Sequence, residues 1–337
     1  MNSVASRDVH VAGTTRLNRL SALGLAERFG ILAIFVAIFV AFAIAQPETF
    51  LSAGNLRAIV SSQSVVAVVA LGLMVPLVAG DFDLSVGTVA VAGSIVAATT
   101  MADGWALLPA CGLTLLFGAV CGAVNGALVA YGGLNGLIAT LGSATVLTGL
   151  ISWHTHDLSI SEGISPALSD LGTKNVLGVP GLALVAVAAA LVVAYLMMAT
   201  PFGRKLAAVG SSRAAAQLVG VRVRRMVFIS FVCSALLGSL AGLLLVAQQG
   251  SGNPALSGFT LLLPALAAVY LGASAFLPGE FNVPGTVLGL LLVAVLVSGL
   301  TLAGAAAWVQ SVVQGMALII AVGTSSALRR RRMGADM

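Results

Sequence analysis

Of 337 residues, 59% are hydrophobic and 8% charged, and the mean hydropathy is +1.09, which excludes a water-soluble globule with an ordinary polar surface. The net charge of +5 and pI near 9.6 do not mark a nucleic-acid binder, because the sixteen basic residues fall mainly in three clusters that set membrane topology. Long apolar runs suited to ~30 Å of hydrocarbon, without the short alternation of a β-barrel, give an expected all-α integral membrane bundle.

The first 28 residues carry four basic side chains and read as a cytoplasmic tail. Apolar runs follow at 29–46, 56–79, 87–102, 106–130, 137–153 and 180–199. Six crossings return the chain to the cytoplasm, where six basic residues lie between Arg204 and Arg225. Four more runs, at 226–247, 260–276, 283–302 and 307–327, lead to four arginines at 329–332. Ten spans with both termini cytoplasmic satisfy every cluster. The expected organisation is a tail at 1–28, one transmembrane domain over 29–328 with a cytoplasmic loop at 200–225, and a tail at 329–337. Ala43 and Ala45 resemble a signal-peptidase site, but the long leader and the membrane-embedded remainder favour an uncleaved anchor.

Glycines four apart in apolar context, at 118, 122 and 126, at 132 and 136, at 238 and 242, and at 285 and 289, predict closely packed helices. Cys111, Cys121 and Cys233 have no redox or metal spacing and read as packing residues. His154 and His156 lack further ligands nearby. The polar external segment 154–178 reads either as a docking surface or as an ordered connection. No phosphate-cradling G-x-x-x-x-G-K-[ST], nucleophile elbow or H-E-x-x-H occurs, so no enzymatic activity is expected.

The stretch VAGDFDLSVG places Asp81 and Asp83 between the second and third spans, at the cytoplasmic edge or in a shallow re-entrant turn. Carboxylates there need water, a donor or a protein cavity, since a charge at the bilayer centre costs ~3 kcal/mol or more. Gly80, Leu84, Ser85 and Gly87 complete a tight turn in which Asp83 or Ser85 caps the helix starting near 86. The residues admit a second reading, a proton-coupling pair.

GLMVPLVAGDFDLSVG at 72–87 resembles a segment of the permease subunits of bacterial ABC importers for ribose, xylose and related sugars. The resemblance recurs in order at PETFLSAGNL (47–56), GLIATLGSATVLTGL (136–150) and TPFGRKLAAVGSSRAAAQLVGV (200–221). It implies an ABC importer permease fold and a monosaccharide or similar small polar solute. Implied partners are a separate ATPase subunit that binds the ATP, an extracytoplasmic solute-binding protein, and a second permease copy or paralogue in the inner membrane. No cofactor of the chain's own and no nucleic acid is implied.

Residues 203–220 combine basic charge with small side chains between glycines, which suits either insertion into another protein's groove or an amphipathic linker at lipid headgroups. The resemblance implies the first, a coupling helix on the ATPase, and its matching positions are Gly203, Arg204, Ala208, Gly210, Ala214, Ala215, Leu218 and Gly220. Ser212 and Arg213 depart from the acidic or asparagine residues common there. Leu262 and Pro264 stand where the family often carries a glutamate and an aspartate. Gln63, Asn125, Thr140, Gln310 and Gln314 are polar residues within spans and read as path-lining groups or as interhelical hydrogen bonds. Two alternatives remain: a related permease for branched-chain amino acids or another non-sugar solute, and a stand-alone proton-coupled transporter.

Overall fold

The computed structural model describes the backbone of residues 22–335 apart from 278, and side chains from 29 to 323 apart from 278 and 307. Of the tail expected at 1–28, residues 1–21 lie outside the described part and the remainder already belongs to helix α1 (Ala22–Ala45). A short α2 (Pro47–Phe50) leads to α3 (Ala53–Val78), α4 (Val86–Ala102), α5 (Leu107–Ala130) and α6 (Gly136–Thr155). After α7 (Pro166–Thr173) a hairpin of β1 (Asn175–Val176) and β2 (Val179–Pro180) enters α8 (Gly181–Ala194), prolonged by a π-helical turn (Tyr195–Ala199). Then come α9 (Pro201–Ser211), α10 (Arg213–Leu218), α11 (Val223–Gln249), α12 (Gly258–Gly272), α13 (Val283–Leu302) and α14 (Ala307–Ala335). Helix α14 carries its helical backbone through the arginines at 329–332 to Ala335.

Among the described residues, six helices are long and apolar enough to cross a membrane: α3, α5, α6, α8 with its π turn, α11 and α13. Four shorter apolar helices, Phe29–Ala45, Val86–Ala102, Gly258–Gly272 and Trp308–Gly323, account for the other expected spans. The apolar stretches of α3 and α11 are 67% buried, against 22% for α5 and 28% for α6, so the first pair forms the centre and the second the outer face. Helix α11 packs on α3, α4 and α5, while α12 packs on α13, α14 and α3, and α1 lies against α13.

The glycine spacing does what it predicts in three of four places. Gly118, Gly122 and Gly126 rest on α11, Gly238 and Gly242 on α4, and Gly285 and Gly289 on α12. Gly132 and Gly136 instead shape the turn between α5 and α6, where Gly132 meets its own chain at Leu128 and Gly136 meets the Phe82 carbonyl.

Two loops enter the bundle. The segment 79–85 does so between α3 and α4. The segment 250–257 descends along α4, with Gly252 against Ala98 and Gly258 against Thr88, ten residues or ~15 Å of helix apart. Helix α12 therefore starts inside the protein, and its fifteen residues, ~22 Å, need not span the full hydrocarbon thickness. The external segment 154–178 is an ordered connection: Gly172 of α7 lies against the Ala247 carbonyl, and Ile160 exchanges backbone hydrogen bonds with Gly252 at 2.9 and 2.8 Å.

Candidate functional site

The expected single helix at 203–220 is two helices. Thr200 caps α9 by accepting the Phe202 amide at 3.2 Å, and Pro201 follows at a position that needs no donor. Helix α9 buries Gly203, Leu206 and Val209 and leaves Arg204 and Lys205 in solvent. Ser212 breaks the run with extended backbone (φ −160°, ψ 111°), and its hydroxyl accepts the Ala215 amide at 3.3 Å to start α10. Gly220, at φ +81°, ends the segment.

Close approach seats α9 on the bundle. A Cβ at Gly210 would collide with the Val78 carbonyl at the end of α3, and one at Gly203 with the Met197 carbonyl in the π-helical turn just before α9. Ala208 is half-buried in the same seat. Helix α10 differs: Ala216 is its one buried residue, Ala214 and Ala215 are exposed, and Leu218 and Val219 are 89% and 77% exposed. The Leu218–Val219 pair is thus an uncovered apolar end on a helix of small residues.

Beneath the segment lies the 79–85 loop. Carbonyls of Pro76 and Leu77 at the end of α3 accept the amides of Ala79, Gly80 and Asp81 at 3.0 Å, a wrap that Gly80 permits at φ +83°. Asp81 and Asp83 are 8% and 0% exposed, so the turn is re-entrant and its carboxylates face protein. Asp81 Oδ2 accepts Arg213 Nη2 at 2.6 Å, an ion pair across 132 residues that joins the loop to the first residue of α10.

Asp83 does not cap α4 as expected, and Ser85 at the N-cap position makes no side-chain bond to the helix amides. The Ser85 amide and hydroxyl donate to Asp83 Oδ1 at 3.0 and 2.5 Å, and the Asn125 side-chain amide of α5 donates to the Ser85 hydroxyl at 2.8 Å. Ser234 of α11 adjoins the same carboxylate. Asp83 Oδ2, Asn125 Oδ1 and Ser234 Oγ have no hydrogen-bond partner. On the other side of the loop, the Thr140 hydroxyl of α6 accepts the Leu84 amide at 3.0 Å and lies 3.4 Å from the Phe82 carbonyl. Gly87 is not a turn residue but a contact, since any Cβ there would strike the Gly258 carbonyl.

The polar residues of the spans therefore separate. Asn125 and Thr140 hydrogen-bond to the 79–85 loop. Gln63 borders an almost wholly apolar groove of about 130 Å³ among α3, α8 and α13. Gln310 donates to Thr301 at 2.9 Å near the far end of α13, and Gln314 is half-buried on α14. A cavity of about 180 Å³ opens beside the start of α12, lined by Thr88, Thr148, Ser257 and Phe259 among others. Its hydroxyl lining escapes sequence reasoning because Thr88 and Ser257 meet only through the descent of the 250–257 loop.

The family of branched-chain amino acid transport system permease components matches residues 55–322. Similar curated proteins include a ribose import permease protein of Haemophilus influenzae, 30% identical over 89% of this chain and 94% of its own length. An autoinducer 2 import system permease protein of Photorhabdus laumondii is 32% identical over 90% and 93%. A probable ABC transporter permease protein of Sinorhizobium fredii is 34% identical over 81% of both chains. No solved structure matches.

Proposed function

Because the chain belongs to the branched-chain amino acid transport system permease family and is a multi-pass ABC importer permease of the inner membrane, we propose that its cargo is a monosaccharide of the ribose or xylose kind. The observation that carries this reading is the end-to-end likeness to a permease named for ribose import. The cavity beside α12 supports it, since its polar lining is hydroxyl and backbone without a charged side chain, better matched to sugar hydroxyls than to an ammonium and a carboxylate.

In this reading a binding protein delivers solute outside, and two copies, or this chain and a paralogue, enclose the path. A separate ATPase grips α9 and α10 in the cytoplasm, where both termini also lie, and its closure rocks the halves to alternate access. ATP belongs to that partner, and the chain itself needs no cofactor. Branched-chain amino acids are the second reading, favoured by the family's description and by the absence of acidic residues at Leu262 and Pro264.

Purified complex in liposomes is expected to accumulate labelled D-ribose only with ATP supplied to the ATPase, with D-xylose competing and L-leucine not. Accumulation of L-leucine instead would reassign the cargo, and D-ribose uptake driven by a proton gradient without ATP would sink the proposal. A second expectation concerns docking: Leu218→Asp weakens ATPase co-purification ~10-fold or more, the scale of an interface hot spot. Because that side chain is 89% exposed, the variant keeps the wild-type elution profile in detergent.

A further inference from the structure

We infer that the Asp81–Arg213 ion pair is the joint through which movement of α10 reaches the 79–85 loop and, behind it, α4, α5 and α6. The inference rests on α9 and α10 being the segment that an ATPase grips, and it names the residues that carry the motion inward.

Two arrangements of contacts meet at this pair. On the cytoplasmic side, α9 is seated by backbone-to-backbone contact at Gly210, whereas α10 is hinged at the extended Ser212 and buries Ala216 alone. Arg213 is the first residue past that hinge, its side chain half-exposed, and it reaches back to a carboxylate that is nearly buried. A load applied at the exposed Leu218 end of α10 thus finds Arg213 as its polar tie to the loop.

On the inner side, the loop is held by bonds to three elements. Its start is wrapped onto α3 through Asp81 and Pro76, its middle is fastened to α6 through Leu84 and Thr140, and its end to α5 through Ser85 and Asn125. Val86 then begins α4 with no intervening slack. Displacing Asp81 disturbs these groups, because the bonds to Pro76, Thr140 and Asn125, at 2.8–3.0 Å, are made to backbone or to a buried side chain. Asp81 and Arg213 are in this sense positioning residues, touching neither solute nor nucleotide. Arg213 stands where the sugar-importer resemblance has an acidic or asparagine residue, and its partner at 81 gives that departure a purpose.

Hydrogen–deuterium exchange on the complex with its ATPase, compared before and after trapping with ATP and vanadate, reads the transmission directly. In the wild type, exchange changes in 201–218 and also in 79–85 and 136–145. In Arg213→Gln and in Asp81→Asn the response of 201–218 persists, while that of the two inner segments falls ~5-fold or more, the lower range of coupling between distant sites. Arg213→Lys, which keeps the charge, restores most of it. The double variant is no worse than either single one, as expected of residues acting as a pair.

Equal inner responses in Arg213→Gln and wild type would overturn the inference, as would loss of the 201–218 response in that variant, which would make the pair a docking element only. A wild type in which 201–218 itself ignores the trapped ATPase would instead remove the reading of α9 and α10 on which the joint depends.

Discussion

Gly122→Leu is expected to leave little correctly folded protein in the membrane. Helix α5 meets α11 along Gly118, Gly122 and Gly126, one turn apart. A Cβ at position 122 would stand 2.6 Å from the Phe231 carbonyl oxygen, 2.7 Å from Val232 Cα and 2.9 Å from Ala235 Cβ. Two of these atoms are backbone, so no rotamer change relieves the contact, and the helices must separate. In lipid, close packing is a main source of helix association, and no water-driven force compensates its loss. Overpacking by a few methylenes costs ~1–3 kcal/mol in tolerant cores, and a leucine against backbone is expected to exceed the upper figure. Separation would also carry Asn125 away from Ser85, so the damage reaches the 79–85 loop. Gly112→Leu on the same helix has nothing within 4 Å of its Cβ and is expected to leave stability unchanged or raise it by up to ~1 kcal/mol, since it replaces an exposed helix glycine. Thermal unfolding of both variants in detergent checks the contrast, and similar melting temperatures would contradict the α5–α11 contact.

The spans are legible because a membrane dictates both composition and length. Runs at 87–102, 106–130 and 283–302 coincide within one residue with α4, α5 and α13. The run at 260–276 overshoots, since hydropathy reads apolar content and not direction: the chain turns after Gly272, with Phe276 at φ +57°. The same blindness hides the descent of 250–257 into the bundle. At the site, small and basic residues make α9 and α10 visible, and the cap chemistry of Ser212 is the one local signal of their break. Asn125 and Thr140 stand out as polar residues, but which way each faces depends on partners 40 and 56 residues away. Asp81 and Arg213 lie further apart still, and no local pattern joins them.

Asp83→Ala is expected to be severely destabilising, and Asp83→Asn to be nearly silent. The carboxylate is fully buried, and through Oδ1 it accepts both the amide and the hydroxyl of Ser85, which in turn receives the Asn125 amide. Alanine leaves the Ser85 amide without its acceptor inside protein, at a cost of ~1–3 kcal/mol, and adds a cavity where the carboxyl stood. The loop that starts α4 would lose its internal brace, so expression and melting temperature should both fall. Asparagine keeps an oxygen for the two Ser85 donors. Its amide replaces Oδ2, and the Ser234 hydroxyl beside the carboxyl can accept from that amide as readily as it faces the carboxylate. Stability within ~1 kcal/mol of wild type is therefore expected, since the site requires an acceptor and not a charge. ATP-driven D-ribose uptake should survive equally at pH 6 and pH 8. A well-folded Asp83→Asn protein that no longer transports would show that the proton or charge on this carboxylate takes part in translocation, and the brace would then be only half of its role.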